Sequence, residues 1–177
     1  VPISDDIDPV EAAVFGCAVL TGMGAVVNTG RVSPGSSAMI VGLGGVGLSA
    51  LLGARAAGVN PLIAVDIHQN KLDLAKELGA TAVVNARDPD AVDQIRELTR
   101  GGVEYAFEFA GSVSAMELAY GATRRGGTTI TASLPHPDAK WPIQQVSLTA
   151  EERTVKGSYI GSCIPGRDLP RYLDLYK

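Results

Sequence analysis

Gly42, Gly44 and Gly47, three of the four glycines in the six residues 42–47, stand between the apolar run "SAMIV" and the alanine-rich stretch "LSALLGARAAG". A turn of that composition dictates much of what surrounds it. The first glycine permits a tight turn at the end of a strand, the second lets the backbone approach an anion, and the third lets the following helix pack closely on the strand. A helix that starts there presents unpaired N–H groups and the positive end of its dipole, which suits a phosphate.

The rest of the chain repeats the unit that such a turn requires. "PLIAVD", "TAVVNA", "VEYAFEFAG" and "GTTITAS" read as short strands, and "NKLDLAKELG", "DAVDQIRELTRG" and "SAMELAYGATRRG" as the helices between them. Gly79 is placed to end the first of these helices. Apolar, β-branched runs alternating with helices imply an α/β doubly wound parallel sheet of about six strands, with helices on both faces. Ahead of this pattern, Asp8-Pro9 and "VEAAVFGCAVLTGMGAVVNTG" read as a helix with Asp8 as N-cap and Pro9 in its first position. Gly16, Gly22 and Gly24 predict a bend or close backbone packing in it. "LPHPDAKWPIQQV" reads as an irregular loop, "RTVKGSYIGS" as one more strand, and "GRDLPRYLDLYK" as the start of a helix.

Composition narrows the partners. The 177 residues carry 15 basic and 19 acidic side chains, a formal net charge of -4, with no basic cluster of the kind that offsets nucleic-acid phosphates. Glycines interrupt the apolar segments, which predicts no membrane span of the roughly 18 to 20 residues a bilayer requires. A soluble, cytoplasmic protein is expected. Cys17 and Cys163 are too few for a disulfide framework or a complete zinc site.

Asp66 ends the strand after the glycine turn, nineteen positions beyond Gly47. An acid at about 20 residues accepts hydrogen bonds from an adenosine ribose, so strand, turn, helix, strand and acid together predict a dinucleotide site. A carboxylate there repels the 2'-phosphate of NADP, which favours NAD. Asp66 can equally cap the helix that follows it, and Lys71 lies close by.

Beyond these spacings, "GCAVLTGMGAVVNTGRVSPGSSAMIVGLGGVGLSALLGARAAGVNPLIAVDIHQNKLDLAKELGAT" resembles the zinc-dependent alcohol dehydrogenases of the medium-chain dehydrogenase/reductase superfamily, and "GGVEYAFEFAGS" and "TVKGSYIGS" are similar to its later segments. In that family a catalytic domain is split around the cofactor domain. The resemblance therefore implies that residues 1–30 are a linking helix, 31–160 an NAD-binding Rossmann domain, and 161–177 the start of a helix leading back to the catalytic domain. The opening on Val1 and the close in mid-helix fit a piece of something longer.

Site roles follow from the same resemblance. Cys17 in "FGCAVLTG" matches a ligand of the catalytic zinc, whose other ligands, a Cys and a His, lie outside this sequence. Gly44, Gly45, Val46 and Gly47, with Gly42, match the pyrophosphate turn. Asp66 and Lys71 match the adenosine ribose site, with His68 near its edge. Thr21, Ala110, Gly111, Ser133, Leu134 and Ile160 match positions around the adenosine and nicotinamide channel, and His136 is a loop residue. The implied reaction is hydride transfer from a zinc-polarised alcohol to NAD, with an alcohol or aldehyde as substrate and no catalytic residue in this stretch itself. The 177 residues alone are expected to be inactive. Two other readings stand beside it: a zinc-free NADPH quinone reductase domain, and a nucleotide-sensing module without activity. "TTITAS" and "TVKGSYIGS" supply a sheet margin through which a homodimer is expected.

Overall fold

A computed structural model describes residues 7–177. The six predicted strands form one parallel sheet, β1 (Ala38–Val41), β2 (Leu62–Asp66), β3 (Ala82–Asn85), β4 (Val103–Glu108), β5 (Thr123–Thr131) and β6 (Thr154–Gly157), in the order β3-β2-β1-β4-β5-β6. The chain starts in the middle, winds outward to β3, then crosses to the other side of β1. Three helices lie between the first four strands: α2 (Gly45–Ala56), α3 (Gln69–Glu77) and α4 (Ala91–Thr99). Beyond β4 come α5 (Val113–Ala122), α6 (Gln145–Ala150) and, after β6, α7 (Pro165–Tyr176). Helix α1 (Pro9–Gly30) precedes the sheet.

Alternation along the strands sorts the core into two layers. Ile40, Leu62, Ala64, Phe107 and Ile130 meet Leu51 of α2 and Leu72 and Ala75 of α3 on one face. Met39, Val41, Ile63, Val65 and Ala106 meet Ile95 of α4 and Ala119 and Ala122 of α5 on the other. Both faces are covered, which is why these strands read as continuous apolar runs. The pairing register also aligns the strand ends: Val41 lies opposite Val65 and Glu108, Glu108 opposite Thr131, and Thr131 opposite Gly157. Every turn leaving a C-terminal strand end therefore emerges on one edge of the sheet.

Helix α1 begins as the sequence implies, with the Asp8 carboxylate accepting from Val10 N–H at 2.7 Å and Pro9 in the first turn. It runs through two stretches of π geometry, Phe15–Val19 and Ala25–Gly30. Its glycines serve close approach. A Cβ on Gly22 would stand 2.2 Å from Val46 O, and one on Gly24 2.5 Å from Gly161 O, whereas one on Gly16 would meet open space. Contrary to the expectation that glycines break the apolar segments, this 22-residue helix is long and apolar enough to cross a bilayer by length and composition. Half of its apolar window is buried within the protein, against α2, the segment 160–163 and α7, and that packing accounts for its hydropathy.

Three element boundaries differ from the sequence reading. The stretch "TRRG" belongs to β5 and not to the preceding helix, because the chain turns at Ala122 and Thr123 Oγ1 bonds Thr129 Oγ1 inside the sheet. The loop after β5 ends earlier than expected, with Gln145 and Val146 opening α6. The last strand stops at Gly157; Ile160, Gly161 and Ser162 all take positive φ in a short 3-10 turn that lies against α1.

That turn is anchored by a buried polar cluster. Asp168, 1% exposed, accepts from Ile164 N–H at 2.8 Å and from the Arg167 guanidinium at 2.7 and 3.0 Å. The Arg167 hydrogen bonds, aided by the Ile164 amide and opposed by burial, hold its carboxyl below the usual range. Cys163 Sγ donates to Leu20 O at 3.2 Å and sits 3.8 Å from the Tyr172 hydroxyl, and burial pushes both thiol and phenol upward. A depressed carboxyl stabilises the fold fully above its ordinary value of 3.8 and loses that contribution as pH falls through the lower folded-state value. Melting curves of the wild type and Asp168→Asn should therefore differ most above about pH 5 and draw together as the pH falls below 3.8. A gap independent of pH would contradict this.

Candidate functional site

The site is built on the sheet edge where the strands end. Gly42 leaves β1 with φ +89°, and Gly47 sits so close beneath it that a Cβ there would lie 1.8 Å from Gly42 O. Those two glycines are required by packing. Gly44 and Gly45 are different: both are exposed, and a Cβ on Gly44 would touch nothing within 4 Å. Helix α2 begins at that point with Gly44 as N-cap, no side chain capping it and no acid in its first turn. The result is a cradle with uncapped N–H groups and room above them, which fits a phosphate and is not filled by the protein itself.

Asp66 fixes one side of the cradle. Its Oδ2 accepts from Leu43 N–H at 2.7 Å and its Oδ1 from His68 N–H at 3.0 Å. The carboxylate thus ties the glycine turn to the end of β2. It is not the N-cap of α3; that position is His68, without a side-chain cap. Each carboxylate oxygen keeps a lone pair for a further donor, so Asp66 is both rigidly held and able to receive ribose hydroxyls. Lys71, half-buried on α3, makes no ion pair with Asp66. His68 is exposed beside Asp66, and His136 lies on the loop after β5 within 3.5 Å of Asp138.

On the other side of the cradle, the β4 turn closes against it. A Cβ on Gly42 would stand 2.7 Å from Ala110 N, and one on Gly111, where φ is +74°, 3.6 Å from Ser133 Cβ. Ala110, Gly111, Ser133 and Leu134 thus lie in succession along the edge, Leu134 being 83% exposed. Helix α1 crosses the same edge. A Cβ on Gly45 would lie 3.7 Å from Ala18 Cβ, so the segment with exposed Cys17 and buried Thr21 borders the glycine turn. Ile160 adjoins α1 beyond that segment, since a Cβ on neighbouring Gly161 would lie 2.2 Å from Leu20 O.

Among the described residues no group of three or more His, Cys, Asp or Glu side chains could hold a metal ion. Cys17 is a single sulfur donor on an exposed turn of α1, which suits one ligand of a shared zinc site and cannot make a site alone. The sequence reading missed Glu108 at the end of β4, although an acid closing the run "VEYAFE" was the available signal. Its carboxylate is 2% exposed and accepts hydrogen bonds from Gly111, Thr131 and Ser133.

A doubly wound sheet whose central strand leads through a glycine cradle to an acid-tipped second strand defines a dinucleotide cofactor-binding domain. Comparison with known proteins makes this specific. Residues 45–177 match the zinc-binding dehydrogenase family, to which the chain belongs. It is 36% identical over 169 residues to alcohol dehydrogenase 1 of Oryza sativa subsp. indica, covering 94% of this chain and 44% of that protein. Alcohol dehydrogenase 2 of Zea mays is 37% identical with the same coverage. The crystal structure of benzyl alcohol dehydrogenase from Acinetobacter calcoaceticus superposes with a TM-score of 0.95 at 37% identity, over 99% of this chain and 49% of that one. An alcohol dehydrogenase zinc-binding domain protein from Burkholderia ambifaria matches equally well, with a TM-score of 0.95 at 36% identity over 98% and 47% of the two chains. The chain thus spans about half the length of the relatives it matches and is homologous to their cofactor-binding domain.

The two kinds of glycine should separate experimentally. Gly47→Ala forces backbone apart and should cost more than about 2 kcal/mol. Gly44→Ala should change stability by less than about 1 kcal/mol and weaken binding of ADP, read by thermal denaturation and calorimetry. Equal stability losses in both variants would contradict the distinction.

Proposed function

We propose that this chain is the NAD-binding domain of a zinc-dependent alcohol dehydrogenase and holds the nicotinamide for hydride transfer from an alcohol. The observation that carries the reading is the open, uncapped cradle at Gly44–Gly45 joined through Leu43 to the Asp66 carboxylate. The pyrophosphate would lie on the α2 N-terminus, the adenosine ribose on Asp66 with Lys71 and His68 nearby, and the nicotinamide half over the ends of β4 and β5. Thr21, Ala110, Leu134 and Ile160 would border it there, with Val46 at the turn. Similarity to alcohol dehydrogenases supports an alcohol or aldehyde substrate.

When bound, zinc supplies Lewis acidity toward an alcohol oxygen and the nicotinamide accepts the hydride. Cys17 would be one thiolate ligand, with the remaining ligands outside these residues, so residues 1–30 link to a catalytic domain, residues 31–160 carry the cofactor and residues 161–177 lead back. The role of this chain is to bind and orient. Its rigid acid and short turns fix where the cofactor lies, and α1 brings Cys17 to the rim of the cleft. We place the protein in the cytoplasm. We also propose a homodimer, since β6 forms an edge of the parallel sheet, and edge strands invite pairing with a second copy.

Calorimetric titration with NAD and NADP tests the cofactor assignment. NAD should bind more tightly, and Asp66→Ala should weaken NAD by about tenfold or more while narrowing the preference, as expected for loss of charge-assisted hydrogen bonds. Tighter binding of NADP would favour a quinone reductase. The 177-residue chain should show no turnover of simple alcohols with NAD, and light scattering at micromolar concentration should give twice the monomer mass. Turnover, or a monomer mass, would contradict the corresponding assignment.

A further inference from the structure

The sheet has one residue that its core does not explain. Glu108 ends β4 on the face where Met39, Val41 and Ala106 pack against α4 and α5, all of them apolar. A buried carboxylate loses its hydration and persists where hydrogen bonds replace it. No cation does so here: among the described residues Glu108 takes part in no ion pair. Its oxygens are satisfied by neutral donors from the turn after β4, from the last residue of β5 and from the turn beyond it. Oε1 accepts from Gly111 N–H at 2.6 Å, and Oε2 accepts from Thr131 Oγ1–H at 2.7 Å and from Ser133 Oγ–H.

Both turns lie on the edge that faces the proposed cofactor. Strand order puts the glycine cradle at β1 and the adenosine acid at β2, so the other half of a dinucleotide must extend over β4 and β5. Between these turns the protein is not tightly filled. A cavity of about 220 Å3 lies there, lined by Glu108, Ser112, Met116, Thr131, Ser133 and Trp141 among others. The backbone ladder joins the two strands as far as Ala132 N–H and Glu108 O, at 3.1 Å, and beside the cavity the carboxylate adds the side-chain tie from Gly111 to Thr131 and Ser133.

We propose that Glu108 is a positioning residue: its buried carboxylate ties the turn after β4 to the end of β5 and thereby fixes the opening that receives the nicotinamide half of the cofactor. The inference rests on the dinucleotide reading above, and its test separates the two. NAD and ADP-ribose share the adenosine and pyrophosphate groups and differ in the nicotinamide. Glu108→Ala should weaken NAD by about tenfold, equivalent to about 1.4 kcal/mol, and leave ADP-ribose within about twofold. Glu108→Gln should retain both ligands, because its amide oxygen can accept from Gly111 while its NH2 donates to the Thr131 and Ser133 hydroxyls.

If Glu108→Ala does not fold, Thr131→Val combined with Ser133→Ala removes the same tie from the other side and should show the same selective loss. Parallel loss of NAD and ADP-ribose would mark Glu108 as a purely structural residue, and unchanged affinity for both would remove any role; either overturns the proposal. Wild-type protein that binds neither ligand would overturn the dinucleotide reading and this inference with it.

Discussion

The contact on which the rest depends is the approach of α2 to β1 at Gly47 and Gly42. No side chain fits between Gly47 and the Gly42 carbonyl, so the helix axis is driven down onto the strand end. That placement aims the helix N-terminus at the sheet edge, sets Leu43 N–H within reach of Asp66, and brings Val46 under Gly22 of α1. A larger residue at Gly47 would tilt α2 away and dismantle the cradle, the acid and the α1 crossing together. Packing and ligand geometry are one constraint here, distributed over neighbouring glycines with different duties.

Much of the fold was legible because its signals are local or periodic. Apolar, β-branched runs alternating with helices marked the buried strands, "RTVKGSYIGS" was read as one more, and Asp8-Pro9 marked the start of α1. What stayed hidden depended on contacts distant in sequence. The positive φ angles at Ile160 and Ser162 answer to the α1 surface and not to their own residue types, since an isoleucine would not choose them. The "TRRG" boundary was obscured because its charged residues suit a helix end as well as an exposed strand. The apolar length of α1 was discounted on account of its glycines, yet those glycines let it pack.

The candidate site divides in the same way. Gly42, Gly44, Gly47 and Asp66 announce themselves by spacing, and the fold brings them to one edge. Cys17, Thr21, Ala110, Leu134 and Ile160 carry no such spacing; they came from family resemblance, and while sheet register aligns the strand ends that precede Ala110 and Leu134, the other three depend on how α1 and the segment 160–163 pack. Glu108 was passed over because its three partners lie on two segments that the sequence separates by some twenty residues.

The crossing of α1 also orders events in time. Part of its apolar surface rests on α2, which follows it closely, but the remainder is covered by the segment 160–163 and by Tyr172 and Leu173, which follow it only after the whole sheet has been made. At ribosomal speeds of about 5–20 residues per second, that surface stays open for roughly 7 to 26 seconds after the helix itself emerges. For that interval the helix stands with one apolar face bare and its Gly24 notch unfilled, while the Gly22 notch already holds Val46 of α2.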